Sequence, residues 1–400
     1  MKILWMSPNF LHPTTKGGQI RTLEIVKRLH RRHEIHYVAL EDPRQPEGSR
    51  RSGEYSTRSY AVRHQAPAKC SPAFTWQLAK ALFARLPVAV SRFYNAGAAR
   101  LIAGLLAREK FDRVVCDFLT SAPHFPKLAE VILFQHNVET TIWKRHTEHS
   151  RDPLRRFYFG LQARRMFDFE GQVCRAAGSI IAVSAKDADS MRRLFGAERV
   201  HQIPTGVDVD YFQAPERAET EADLVFIGSM DWMPNIDGTG YSFREILPLI
   251  RRKKPDCRLA IVGREPAPEI VELGRRERGC LVTGTVPDVR PYLWRSAVSI
   301  VPLRIGGGTR LKIYESMAAG VPMVSTSVGV EGLECDPGRN ILIADSPEEF
   351  AARCLELLES REARARIGGA GRQMVRARFS WEQVVERFEE VLREGPALRG

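Results

Sequence analysis

A chain of 400 residues, 44% hydrophobic and 27% charged, is soluble in composition and long enough for two hydrophobic cores. No uncharged run approaches the roughly 20 residues that cross a bilayer, and the apolar start at 1–8 is too short for a signal peptide. Seven scattered cysteines without a CxxC pair argue against a disulfide framework or a cysteine-based zinc site and point to a reduced, cytoplasmic chain. The net charge of +12 belongs to the first half: residues 1–212 carry 33 Lys and Arg against 20 Asp and Glu (net +13), and residues 213–400 carry 27 against 28 (net −1). Such a half suits an anionic membrane surface or phosphorylated substrates. Nucleic acid is disfavoured, because no helix-turn-helix, zinc-finger or RNP-like segment accompanies the charge.

In chain order, strand-like apolar runs are expected at 2–6, 34–40, 113–117, 131–135, 179–183 and 199–203, with stretches between them long enough for helical crossovers. After the first run, Gly17-Gly18 heads a helical pattern of Ile20, Leu23, Ile25, Val26 and Leu29, which makes a βα unit with a glycine turn. The polar stretch 42–72 reads as a loop or lid broken by one strand near 57–62. Between 69 and 108, apolar residues such as Phe74, Trp76, Leu78, Leu82 and Phe83 interleave with Lys69, Lys80, Arg85, Arg92, Arg100 and Arg108. That pattern fits a helix on a lipid interface or a pair of core-packed helices with basic solvated faces, and 155–167 has the same two readings. The run at 131–135 ends in Gln135, His136 and Asn137, at the edge where parallel sheets take ligands. His136 is a candidate site residue there, since an unperturbed imidazole titrates near neutrality.

The Pro-, Gly- and Asp-rich run 203–212 marks a boundary and divides the chain into 1–212 and 213–400. The second half opens on a strand that ends at Gly228, with Asn235 heading a helix through Leu249, and a further strand at 259–262 ends in Gly263 and Arg264. A strand at 298–303 then runs into Gly306-Gly307-Gly308-Thr309-Arg310, followed by a helix carrying Lys312 and Glu315, a Gly320-Val321-Pro322 stop and a strand at 323–326. Successive glycines let backbone amides converge at a helix start, where the peptide dipoles favour an anion. Arg310 and Lys312 add cations, and Arg310 offers a two-pronged donor to a phosphate. Glu315, farther along, is suited to accept hydroxyl donors from a ribose or sugar. The segment therefore reads as a site for a phosphorylated ligand. No Asp-x-Asp motif accompanies it, and no metal is expected.

These motifs carry a resemblance. The segment 298–334, with Glu315 and the stop Ala319-Gly320-Val321-Pro322, resembles the donor-binding half of the retaining family-4 glycosyltransferases, in a branch like the exopolysaccharide-biosynthesis sugar transferases. The run from Pro204 and Gly206 through Val207, Asp208 and Phe212 resembles that family's interdomain crossing, and 379–383 its common tail. The family carries another glutamate eight residues before Glu315, where this chain has Gly307.

The resemblance implies an α/β fold of two Rossmann-like domains facing a cleft, the GT-B type. Residues 1–212 would bind the acceptor and 213–400 the nucleotide sugar, with a final helix at 380–394 crossing back to the first domain. It implies His136, Arg310, Lys312 and Glu315 as the catalytic set. Gly17, Gly18, Gly228, Arg264, Val286, Gly306, Gly307, Gly308 and Thr309 would bind the donor, with backbone near Val286 reading the nucleobase. The expected activity is retaining, metal-free transfer of a sugar from a nucleotide-diphosphate sugar to a glycan or polyprenyl-linked acceptor, in exopolysaccharide or lipopolysaccharide synthesis. No cofactor is called for. Two alternatives stand beside it: a nucleotide-sugar epimerase, and an inactive module that binds nucleotide or glycan.

Overall fold

A computed structural model describes residues 1–14, 17–44, 46–65, 71, 76, 84, 86–150, 152–215, 220–305 and 311–398. The chain forms two compact units: Met1–Pro204 with Val384–Gly400, and Thr205–Gln383.

The first unit is built on seven parallel strands: β1 (Lys2–Ser7), β2 (Glu34–Glu41), β3 (Arg58–Arg63), β4 (Arg113–Asp117), β5 (Ile132–Gln135), β6 (Ser179–Ala182) and β7 (Val200–Gln202), in the spatial order β3-β2-β1-β4-β5-β6-β7. Its central strands are apolar on both faces, as parallel strands covered by helices on each side must be; Ile3, Leu4, Trp5 and Met6 are all fully buried. The edge strand β3 instead alternates exposed and half-buried positions. Helices α1 (Gly17–His30), α2 (Ala96–Arg108), α3 (Glu139–His149), α4 (Pro153–Ala176) and α5 (Ala185–Phe195) pack around this sheet.

Helix α2 resolves part of one open reading. Asn95 caps it, its side chain accepting from the amides of Gly97 (2.8 Å) and Ala98 (3.2 Å). Its apolar stripe of Ala98, Ile102 and Leu105 is buried in the core, so residues 96–108 take the core-packed alternative rather than the lipid-facing one. Lys69, Phe74, Leu78, Lys80, Leu82, Phe83 and Arg85 lie outside the described residues.

The second unit holds six parallel strands: β8 (Ala222–Ile227), β9 (Leu259–Val262), β10 (Cys280–Val282), β11 (Ser296–Val301), β12 (Met323–Ser325) and β13 (Leu342–Ile343), in the order β10-β9-β8-β11-β12-β13. After β8 the chain is helical from α6 (Met233–Tyr241) through a π turn at Ser242–Ile246 into α7 (Leu247–Arg251), so Asn235 sits inside the first turn rather than heading it. Helix α8 (Leu311–Ala318) follows the glycine run, and α9 (Pro347–Glu359) and α10 (Arg361–Arg378) close the unit.

The last helix, α11 (Trp381–Glu394), belongs to the first unit from Val384 onward. There Phe388 stacks on Trp5 at 5.7 Å between centroids, and buried Glu389 meets His33 and Arg32, each at 3.2 Å. Strand order reverses between β1 and β4 in the first sheet and between β8 and β11 in the second. Sheets of this kind hold ligands at the carboxyl ends of the strands flanking such a reversal.

Candidate functional site

At the reversal in the second sheet, β8 is followed by Gly228, whose amide donates to the Val262 carbonyl (2.9 Å), and the chain leaving β9 passes directly over it at Gly263. The approach is so close that a Cβ on Gly263 would lie 1.6 Å from the Gly228 carbonyl oxygen. Only a glycine lets the two strand ends converge in this way.

Lys312, in the first turn of α8, reaches back to this point. Its Nζ donates to Asn235 Oδ1 (2.9 Å) and lies 4.6 Å from the centre of the Phe226 ring, and a Cβ on Gly228 would come within 2.8 Å of it. Asn235 is itself oriented by donating Nδ2 to the Ser229 carbonyl at 2.8 Å. The result is a cation anchored at the strand-end edge, with its ammonium over an aromatic face.

One turn farther, Glu315 makes no hydrogen bond or ion pair among the described residues. Burial pushes its carboxyl up to about 7, against the opposing pull of the Lys312 charge. Such a group accepts a hydroxyl donor readily.

Arg264 is about half exposed and pairs with Asp231 at 3.5 Å. Val286 packs against the core in the loop after β10, beyond the turn at Gly284 (φ +72). The strand here is Cys280–Val282, so Val286 lies in the loop that follows it. Arg304, a cation close to the glycine run, is engaged with Asp237 (2.7 Å) and Glu245 (3.4 Å). Gly306, Gly307, Gly308, Thr309 and Arg310 lie outside the described residues.

The first unit gathers a second cluster at the β1/β4 reversal. His136, just past β5, is 5% exposed, with Nε2 2.7 Å from Asp117 Oδ1 and Nδ1 3.1 Å from Arg21 Nη1. Asp117 ends β4, and its other oxygen accepts the hydroxyls of Ser7 (2.9 Å), at the end of β1, and of Thr22 (3.0 Å), on α1. Phe118 stacks on the imidazole at 3.9 Å and 14°, with its backbone in the left-handed region at φ 64. Gly18 admits that ring: a Cβ there would lie 2.8 Å from Phe118 Cζ and 3.5 Å from His136 Nδ1. Around Gly17 an added Cβ would meet nothing within 4 Å.

Gly18 and His136 are therefore neighbours, while Asp117, Arg21, Ser7 and Thr22 were missed by sequence reasoning. The one available signal was a carboxylate at the end of an apolar strand, in Val114-Val115-Cys116-Asp117. Burial lowers the His136 imidazole below its ordinary value and Arg21 acts in the same direction, against the pull of Asp117. Nearby, fully buried Glu170 accepts the first amides of α3, from Glu139 (2.9 Å) and Thr140 (2.7 Å). Burial and then the Glu170 charge push the Glu139 carboxyl up to about 7. Among the described residues, no three His, Cys, Asp or Glu side chains stand close enough to hold a metal ion.

Residues 15–211 match the family model described as Glycosyltransferase Family 4, and residues 221–360 the model described as Glycosyl transferases group 1. The chain is 27% identical over 221 residues to a GDP-mannose-dependent monoacylated alpha-(1-6)-phosphatidylinositol monomannoside mannosyltransferase of Corynebacterium glutamicum, a match covering 48% of this chain and 56% of that protein. The match thus spans little more than half the length of such curated relatives. In fold it is similar to sucrose-phosphate synthase from Thermosynechococcus elongatus (TM-score 0.69, 16% identity, 98% of each chain). It is also similar to Anabaena HepE solved with UDP (TM-score 0.68, 13% identity, 98% of this chain and 100% of that one). With two parallel α/β units of GT-B type, matched in turn by these two models, the chain is of the family-4 glycosyltransferase type.

Proposed function

We propose that this chain moves a sugar, with retention of configuration, from a nucleotide-diphosphate sugar to a glycan or lipid-linked acceptor in exopolysaccharide or lipopolysaccharide synthesis. The observation that carries the reading is the Lys312 ammonium, held by Asn235 beside the glycine-lined ends of β8 and β9. As the glycosyl bond to the diphosphate stretches, negative charge grows on the leaving group, and a preorganised cation there lowers the barrier. Arg310 and the amides at the start of α8 act with it, Glu315 holds a ribose or sugar hydroxyl, and no metal is required. The acceptor reading draws on the Corynebacterium relative, named for transfer onto a phosphatidylinositol mannoside, and the donor reading on HepE, solved with UDP.

The test is incubation with labelled UDP- and GDP-sugars and a lipid or saccharide acceptor, with and without EDTA. Labelled glycan or glycolipid formed equally in both is the expected result. Epimerised donor would indicate the epimerase, binding without turnover an inactive module, and activity lost in EDTA but restored by Mg²⁺ or Mn²⁺ would end the metal-free reading.

The lipid-linked acceptor places the protein at the cytoplasmic face of the membrane. A surface suited to that contact is the start of α4, where Leu154 (81% exposed) and Phe157 (71%) flank exposed Arg155 and Arg156. Among the described residues no helix is long and apolar enough to cross a membrane. Purified protein is expected to sediment with anionic vesicles far more than with neutral ones, less so at high salt, and to lose most of that binding on replacing Arg155 and Arg156 with Gln. Equal sedimentation with both vesicle types, or with neither, removes the membrane from the proposal.

A further inference from the structure

We infer that Arg21 is a positioning residue that locks His136 as the neutral tautomer protonated on Nε2, so that this imidazole neither takes up nor gives away a proton during sugar transfer.

The argument runs through hydrogen-bonding capacity. A guanidinium has donors and no acceptor, so the 3.1 Å contact from Arg21 Nη1 requires a lone pair on His136 Nδ1. The remaining ring proton must then sit on Nε2, where Asp117 Oδ1 accepts it at 2.7 Å. Asp117 is committed as an acceptor on its other side as well, by the Ser7 and Thr22 hydroxyls.

Protonating Nδ1 would set an N–H against an N–H and one buried cation against another. Arg21 is itself 5% exposed, and the charges acting on it are those of Asp187, on α5, and Asp117. The charged groups acting on the imidazole are Asp117 and Arg21, and its faces are covered by Phe118 at 3.9 Å and Phe134 at 4.4 Å.

Both nitrogens are therefore spent on the protein, and no edge is left for a substrate hydroxyl unless Arg21 or Asp117 withdraws. What the ring supplies is a fixed surface that holds Phe118, with its strained backbone, against Gly18. This assigns His136 a positioning role where proton transfer would be the first guess for a histidine at a ligand edge.

The tautomer is read directly by NMR of the full chain labelled with ¹⁵N-histidine, which makes the test independent of any activity. The expected wild-type spectrum shows His136 neutral, protonated on Nε2, and still neutral when pH falls below the ordinary 6.5. Arg21→Met is expected to raise the His136 titration midpoint by about one pH unit or more, since the opposing charge is gone and Asp117 remains. Arg21→Lys, which keeps a cationic donor, is expected to restore the neutral form.

An Nδ1–H tautomer in wild type, protonation at or above pH 6.5, or an unchanged midpoint in Arg21→Met would overturn the inference. If Arg21→Met fails to fold, the wild-type spectrum alone decides. The kinetic arm rests on the proposed transferase: no ionisation of His136 should appear in the kcat profile between about pH 6 and 8. Absence of any transfer would remove the proposed function and leave the tautomer result standing.

Discussion

Lys312→Ala is expected to lower kcat by roughly 10²-fold or more, the loss seen when one preorganised electrostatic group is taken from a developing charge. The ammonium is already in place without substrate, fixed by Asn235 at 2.9 Å and laid over Phe226, so no reorganisation is spent at the moment of bond cleavage. Because the charge on the diphosphate grows toward the transition state, the loss should fall on kcat more than on KM. Arg310→Ala is expected to behave alike. Steady-state kinetics of a folded Lys312→Ala protein with kcat within about twofold of wild type would sink the assignment. Folding is checked by an unchanged thermal midpoint, since the side chain is half-buried at the rim of its unit.

Gly263→Ala is expected to destabilise the second unit by more than about 4 kcal/mol, among the largest effects a single methyl group can have. The obstacle to the new Cβ is the Gly228 carbonyl at 1.6 Å, an atom of the backbone that no rotamer change can move aside. Relief requires β8 and β9 to separate at their carboxyl ends, where Gly228 donates to Val262 and Met230 to Arg264. For a unit of this size such a loss lowers the midpoint by roughly 10 °C or more, or leaves the protein insoluble. Gly17→Ala is the control, because nothing lies within 4 Å of its added Cβ and alanine favours the helix by about 1 kcal/mol. A Gly263→Ala midpoint within about 2 °C of wild type would show that the strand ends are not held as described.

Much of this architecture was legible before any coordinates. The apolar runs named the central strands to within a residue or two, and Gly17-Gly18 fell at the head of α1 as its pattern required. Lys312 could be named because a cation follows a glycine-rich helix start, where the peptide dipoles favour an anion, and Glu315 because a carboxylate farther along that helix matches the family's motif. The interleaved stretch at 69–108 was ambiguous for a physical reason: an apolar stripe with basic neighbours looks the same whether it faces lipid or a sheet. Over 96–108 the choice depended on packing, with Ile102 and Leu105 buried in the core.

The surroundings of His136 were not legible at all. Arg21 and Asp117 stand 115 and 19 residues from it, and Ser7 and Thr22 stand 110 and 95 residues from Asp117. Nothing in a local pattern joins them.

By itself, then, the sequence determined the elements and their parallel α/β alternation, and it singled out the segment around Lys312 as a candidate site for a phosphorylated ligand. Periodicity, glycine placement and helix-start chemistry act over a few residues, so they can be read from order alone. Only the tertiary structure decided which polar groups meet and in which direction their protonation is pushed. It closed Arg21 and Asp117 on the two nitrogens of His136, and it pushed Glu139 and Glu315 up to about 7. Those outcomes depend on burial and on charges brought from distant parts of the chain, and neither exists until the sheet has assembled.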